Sequence, residues 1–143
     1  MRREVINPGT VFDTLQYGFS QAVVVEGGRR LLLSGQVGVD ADENTVGAGL
    51  ADQTRVAIDN IGLVLKEVGG TLSNVVFLRI YIVQSARDEQ DAISETLLER
   101  FPNAPPATSW VLVSGLSEPE WLIEIEAEAV LPDQDSEGSS VAP

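Results

Sequence analysis

The chain has 143 residues, with 22 acidic and 9 basic residues for a net charge of −13, and it contains neither cysteine nor histidine. Its length suits one domain, and the two missing residue types exclude disulfides, thiol nucleophiles, imidazole bases and the usual zinc sites. The acidic surface repels polyphosphate, so nucleic acid is not an expected partner.

The first predicted elements are two strands joined by a tight turn. Phe19–Glu26 and Arg30–Val39 are rich in apolar and β-branched residues. Gly27-Gly28 between them is typical of a hairpin turn, which would pair the two strands. Asp40–Asn44 has the composition of a second turn.

Two helices are predicted from apolar residues at helical spacing. The first covers Asp52–Val68 and ends at Gly69-Gly70, which supply a helix stop. The second covers residues 86–101 and ends before a cluster of prolines. The expected buried stripe of the first helix is Ala57, Ile58, Ile61, Val64, Leu65 and Val68, and that of the second is Ile93, Leu97 and Phe101.

Three further strands are predicted. Asn74–Val83 is apolar at nearly every residue except Arg79, which indicates a central strand covered on both faces. Pro105–Leu116 contains no charge. In residues 121–131 apolar residues alternate with Glu124, Glu126 and Glu128, so the glutamates share one face.

The order β-β-α-β-α-β-β predicts an α+β fold with a mixed sheet and two helices on one face. We expect other subunits to cover the opposite sheet face, because the strands are apolar on both sides. Residues 1–131 are expected to form one domain and residues 132–143 a disordered acidic tail. No apolar run reaches membrane-spanning length and no secretory leader is visible, so we expect a cytoplasmic protein without membrane contact.

Six segments together resemble the reactive intermediate deaminase family, also called the Rid or YjgF-like family. They occur in that family's order and spacing and cover nearly the whole chain apart from the tail. The segments are "FSQAV" (Phe19–Val23), "SGQVGVD" (Ser34–Asp40), "QTRVAIDNIGLVLKEVGG" (Gln53–Gly70), "VVFLRIYI" (Val75–Ile82), "PPATSWVLV" (Pro105–Val113) and "IEIEAEAV" (Ile123–Val130).

The resemblance implies a chorismate-mutase-like fold and a homotrimer that binds small molecules in clefts between subunits. It also implies a hydrolase that converts reactive enamines and imines to 2-oxo acids and ammonia without a metal or an organic cofactor. The sequence departs from the family where deaminating members have an arginine that grips the substrate carboxylate, because Thr108 occupies that position. The cleft is therefore expected to lack its usual carboxylate anchor.

The resemblance places six residues in the site. Glu124 would orient or deprotonate the attacking water, although it shares its strand face with two other glutamates and a solvated role stays open. Ser34 would line the pocket beside Gly35, for which a glycine bulge is the preferred interpretation. The remaining substrate-binding candidates are Phe19, which replaces an aromatic hydroxyl, Ser94 on the second helix, Thr108, and Trp110, which replaces a cysteine.

Two functions stay open from the sequence. The first is a cofactor-free enamine or imine deaminase with altered substrate choice. The alternative is a non-catalytic trimer that binds a small ligand or serves as an interaction module. Arg79 would restore a cation if it reached the cleft, but an ion pair with an acidic residue is the preferred interpretation.

Overall fold

The computed structural model describes residues 1–134 as six strands, two α-helices and three short 3₁₀ helices. The expected tail falls mostly on residues 135–143, which lie outside the described residues. The strands and helices are β1 (Arg2–Ile6), β2 (Ala22–Glu26), β3 (Arg29–Val37), α1 (Leu50–Lys66), β4 (Val75–Val83), α2 (Asp91–Arg100), β5 (Ala107–Val113) and β6 (Ile123–Leu131). The 3₁₀ helices are Leu15–Tyr17, Leu72–Asn74 and Gln84–Glu89.

The main sheet is mixed and has the strand order β3-β6-β4-β5. β6 is antiparallel to both β3 and β4, whereas β4 and β5 are parallel because α2 connects them as a crossover. Both helices pack on one face of this sheet, which confirms the expected α+β architecture. The core between the helices and the sheet includes Ile58, Ile61 and Leu65 of α1, which are fully buried. Burial of each of these side chains stabilises the folded state by about 1.5–3 kcal/mol.

Helix α1 has the predicted length but begins and ends two residues earlier, and its buried stripe is narrower than the sequence predicted. It ends at Lys66, and Gly69 at a φ of +78° redirects the chain. The N–H of Gly70 donates to the carbonyl of Leu65 at 2.9 Å, which closes the last turn. Val64 and Val68, which were predicted to be buried, are exposed because the sheet contacts only the other side of the helix.

The two strands around Gly27-Gly28 do not form the predicted hairpin. Both glycines have positive φ, as a tight turn requires. However, β2 pairs with β1, while β3 pairs with β6. The chain enters β2 parallel to β5, through the bridge between Ser20 and Ala107, and β3 also runs parallel to β4 and β5 because β3 and β4 are both antiparallel to β6. The glycines therefore bend the chain without reversing it, and pairing with partners distant in sequence decided which strands share hydrogen bonds.

Strand β1 was not predicted from the sequence. It is short and largely polar, and Arg3 connects it to the main body. The guanidinium of Arg3 donates to the carbonyls of Ala104 at 2.9 Å and Val75 at 2.8 Å. Partial burial of this group lowers the pKa of Arg3. The charged residue thus stabilises the docking of the N-terminal strand pair.

The other face of the main sheet is only half-covered in the single chain. Burial alternates along β4, so Leu78, Ile80 and Ile82 are buried while Phe77 and Tyr81 are partly exposed. Leu32 on β3 belongs to the same open face and is 66% exposed. The expectation that β4 is covered on both faces is therefore not met within one chain.

Candidate functional site

An aromatic pocket lies at the edge of the sheet between β5 and the start of α2. Its cavity of about 310 Å³ is lined by Tyr17, Phe19, Gln90, Asp91, Ser94 and Trp110. We call this set the aromatic pocket. It brings together three of the predicted site residues, namely Phe19, Ser94 and Trp110.

The loop that carries two of the rings depends on one glycine. Gly18 has a φ of +93° and lies directly against α2. A Cβ at this position would be 2.6 Å from the Cβ of Leu97, so only glycine allows the loop to approach so closely. The ring of Phe19 consequently lies beside that of Trp110, with centroids 5.8 Å apart and planes inclined by 47°.

Thr108, which the resemblance places at the family's arginine position, contacts Trp110. The two residues are two positions apart on β5 and so point to the same face. The indole Nε1 of Trp110 donates a hydrogen bond of 3.0 Å to Oγ1 of Thr108. This bond links a fourth predicted residue to the pocket.

The aromatic pocket has no cation among its lining residues, and its one ionised side chain is the carboxylate of Asp91. Arg79 does not supply the missing charge within the chain. It lies in register with Ser109, so it projects from the sheet face opposite to Thr108. The part of the pocket that a single chain supplies therefore carries a net negative charge.

Arg79 instead belongs to a cluster on the open sheet face. Its Nη1 lies 3.3 Å from Oε2 of Glu126, and its guanidinium stands 5.1 Å from the ring centre of Phe77. The hydroxyl of Tyr81 donates to the same glutamate, and this hydrogen bond raises the pKa of Tyr81. The preferred interpretation of Arg79 as an ion-pair partner is confirmed.

Glu124 differs from the other two glutamates on β6. Glu126 is held by Arg79 and Tyr81, and Glu128 forms an ion pair of 2.9 Å with Arg30. Among residues 1–134, no hydrogen bond or ion pair engages the Glu124 side chain. Its carboxylate is the one on this strand that is free to act on a ligand or a water molecule.

Gly35 makes space for that carboxylate. The register between β3 and β6 shifts between Leu33 and Gln36, which confirms the expected bulge at Gly35. A Cβ at residue 35 would lie 2.1 Å from Oε2 of Glu124. Ser34 is exposed beside this contact.

The six predicted residues thus form two groups. Phe19, Ser94, Thr108 and Trp110 gather at the β5 edge of the sheet, whereas Ser34 and Glu124 lie across β4 on β3 and β6. Residues that the sequence analysis missed are Tyr17, Gln90 and Asp91. Tyr17 could have been inferred from its place two residues before Phe19, and Asp91 from its place one helical turn before Ser94.

No helix among the described residues has both the length and the apolarity needed to cross a membrane. Within residues 1–134, no group of three or more acidic side chains is placed to bind a metal ion.

Comparison with known proteins gives a consistent family match. Residues 14–131 match the family model described as endoribonuclease L-PSP. The 3-aminoacrylate deaminase RutC of Acinetobacter baylyi is 37% identical over 100 residues, which are 68% of this chain and 75% of that protein. The human 2-iminobutanoate/2-iminopropanoate deaminase is 31% identical over 113 residues, which are 78% of this chain and 79% of that protein.

The solved structures include a Rid-family protein of unknown function from Yersinia pestis. It is 40% identical, with a TM-score of 0.86, and the match covers 92% of this chain and all of that one. This likeness confirms the expected chorismate-mutase-like fold.

Proposed function

Because the chain belongs to the endoribonuclease L-PSP family, also known as YjgF or Rid, we propose that it is a hydrolase of enamines or imines with altered substrate choice. The reaction needs neither a metal nor an organic cofactor. The observation that carries the proposal is the free carboxylate of Glu124 on a strand whose other two glutamates are both engaged. Two relatives named as deaminases of an enamine and of imines support it.

The chemistry requires a base, a water molecule and a bound imine. Glu124 accepts a proton from water as the water oxygen bonds to the imine carbon. That proton is then returned to nitrogen, which gives a carbinolamine. The carbinolamine hydroxyl next gives up its proton, nitrogen takes up a proton, the carbon–nitrogen bond breaks, and a carbonyl compound and ammonia leave. An enamine first takes up a proton on carbon and then follows the same route.

Substrate choice is altered because the pocket has no cation for a carboxylate. A bidentate arginine contact is both strong and geometrically selective for that group. Thr108 offers one uncharged hydroxyl, and Trp110 already donates to its oxygen. Amino-acid-derived imines are consequently expected to be poor substrates.

We also propose a homotrimer with ligand clefts between subunits. Within one chain, β4 separates Glu124 on β6 from Trp110 on β5, and the two side chains belong to opposite sheet faces. They can act on one ligand only if neighbouring chains each contribute one group. The open sheet face, with exposed Leu32 and half-exposed Phe77, is the surface proposed to pack against other subunits.

The competing function is a non-catalytic trimer that binds a small ligand. The bulk of Trp110 next to Phe19 favours it, because the two rings fill part of the pocket. The two functions differ in whether Glu124 matters for turnover.

The test follows the loss of enzymatically generated imines above their spontaneous hydrolysis, using imines from both amino acids and simple amines. Glu124→Gln should lower the rate constant by about 10² to 10⁴-fold. Glu128→Gln is the matched control, because it removes a charge from the same strand face at an ion-paired position. If the wild-type protein accelerates none of these reactions, the binding function is favoured instead.

A further inference from the structure

The aromatic pocket combines three rings with one carboxylate. Tyr17, Phe19 and Trp110 supply the rings, and Gln90 and Ser94 add neutral polar groups. Asp91, the first residue of α2, is exposed and forms no ion pair among residues 1–134. Its negative charge is therefore available to a ligand.

This composition selects ligands by charge. A cation within about 6 Å of an aromatic ring centre is attracted by the negative face of the ring. Asp91 attracts the same cation and repels an anion, and this effect is strongest where water is partly excluded. A ligand carboxylate would meet that repulsion, and the lining that one chain supplies contains no arginine or lysine to offset it.

We infer that the aromatic pocket binds a positively charged imine without a carboxylate, an iminium ion bearing an apolar or aromatic substituent. This inference rests on the proposed function and names its substrate class. Water adds to the iminium carbon, the carbon–nitrogen bond breaks, and the products are a carbonyl compound and ammonium, so the single positive charge is conserved. The source of such a substrate is a simple amine rather than an amino acid.

Binding is tested with three probes that share a benzyl group and differ in charge. They are benzyltrimethylammonium as the cation, benzyl alcohol as the neutral ligand and phenylacetate as the anion. Fluorescence of Trp110 reports binding in a Trp121→Phe background, since the chain has two tryptophans. Calorimetry on the unmodified chain gives an independent value. The cation should bind most tightly and phenylacetate least.

The charge of Asp91 is tested by a matched pair of variants on α2. Asp91→Asn should weaken binding of the cation about tenfold and that of benzyl alcohol less than twofold. Glu95→Gln removes the same charge from an exposed position outside the lining and should change neither. The inference would be overturned if phenylacetate bound as tightly as the cation. It would also be overturned if Asp91→Asn left the affinity for the cation unchanged.

Rates of imine hydrolysis distinguish a failure of this inference from a failure of the proposed function. Imines generated from benzylamine by an amine oxidase and from alanine by an amino-acid oxidase are compared. Faster hydrolysis of the alanine-derived imine would overturn the inference and leave the hydrolase intact. Selective binding of the cation with no acceleration of either imine would support the charge preference and overturn the hydrolase.

Discussion

The indole nitrogen of Trp110 lies 3.0 Å from the hydroxyl oxygen of Thr108, at the position where deaminating relatives of this family are expected to have an arginine. The bond joins the two residues of β5 at which the resemblance leads us to expect a difference from deaminating members of the family. The Trp110 ring occupies space beside residue 108 and donates a hydrogen bond to its hydroxyl oxygen. An arginine at position 108 alone should therefore not create a binding site for a substrate carboxylate.

We therefore expect Thr108→Arg to gain little activity on 2-aminoacrylate-type enamines. Combining it with Trp110→Cys should raise kcat/KM about 10- to 100-fold, the range of one charge-assisted contact. The assay generates the enamine enzymatically and follows its loss above the spontaneous rate. Wild-type turnover already equal to that of a typical deaminase of this family would contradict the argument from Thr108, and an inactive double variant would favour the binding function.

The contact of Gly35 with Glu124 gives a second prediction. Gly35→Ala should displace the carboxylate and lower turnover by about 10²-fold, the effect of a misplaced catalytic group. Gly115→Ala is the control, because nothing lies within 4 Å of a Cβ at that residue. Light scattering verifies that both variants keep the wild-type assembly. Unchanged kinetics in Gly35→Ala would show that the position of Glu124 is unimportant.

Assembly is tested with two leucines that are equally exposed in the single chain. Leu32 on the open sheet face is 66% exposed and Leu63 on α1 is 63% exposed. Leu32→Glu should dissociate the trimer, since it buries a charge in the proposed interface, whereas Leu63→Glu should leave it intact. Light scattering of the wild type should give three times the 15.3 kDa of one chain. A wild-type monomer at micromolar concentration would refute the assembly, and an intact Leu32→Glu trimer would place the interface elsewhere.

Gln53 holds the connection before β6 against α1. Its buried amide donates to the carbonyl of Glu120 at 2.9 Å and accepts from the N–H of Leu122 at 2.8 Å. Gln53→Ala should lower the free energy of unfolding by about 3 kcal/mol, because both bonds are lost and an N–H is left unpaired. Urea unfolding measures the loss. The exposed Gln84→Ala should change stability by less than about 0.5 kcal/mol, and a similar value for Gln53→Ala would contradict the role of its bonds.

Because the pKa of Tyr81 is raised, we predict that the free energy of unfolding depends on pH in the alkaline range. Its hydrogen bond to Glu126 raises the pKa above the usual 10.0, so the folded state holds the phenolic proton more tightly than the unfolded state. The resulting stability is complete below pH 10.0 and is lost as pH rises through the higher folded pKa. Unfolding free energy should fall more steeply above pH 10.0 in the wild type than in Tyr81→Phe.

Absorbance titration gives a direct check on the same group. The chain has two tyrosines, so a Tyr17→Phe background isolates Tyr81. Ionisation of Tyr81 at or below pH 10.0 in the folded protein would contradict the hydrogen bond to Glu126.

The sequence by itself determined most secondary structure, because helical spacing, strand alternation and turn residues are local. It indicated both helices, the stop at Gly69, and the shared face of the three glutamates on β6. The resemblance also named Phe19, Ser94 and Trp110 together as site candidates, and the structure brings these three residues into one pocket.

Only the tertiary structure decided which of these residues meet. The pairing of β2 with β1, the capture of Glu126 by Arg79 and Tyr81, and the entry of Asp91 into the aromatic pocket all join segments distant in sequence. Periodicity carries no information about such contacts. They follow from strand order and register, which arise when the whole sheet packs against its helices, because a side chain's neighbours across a sheet depend on which strands lie beside it.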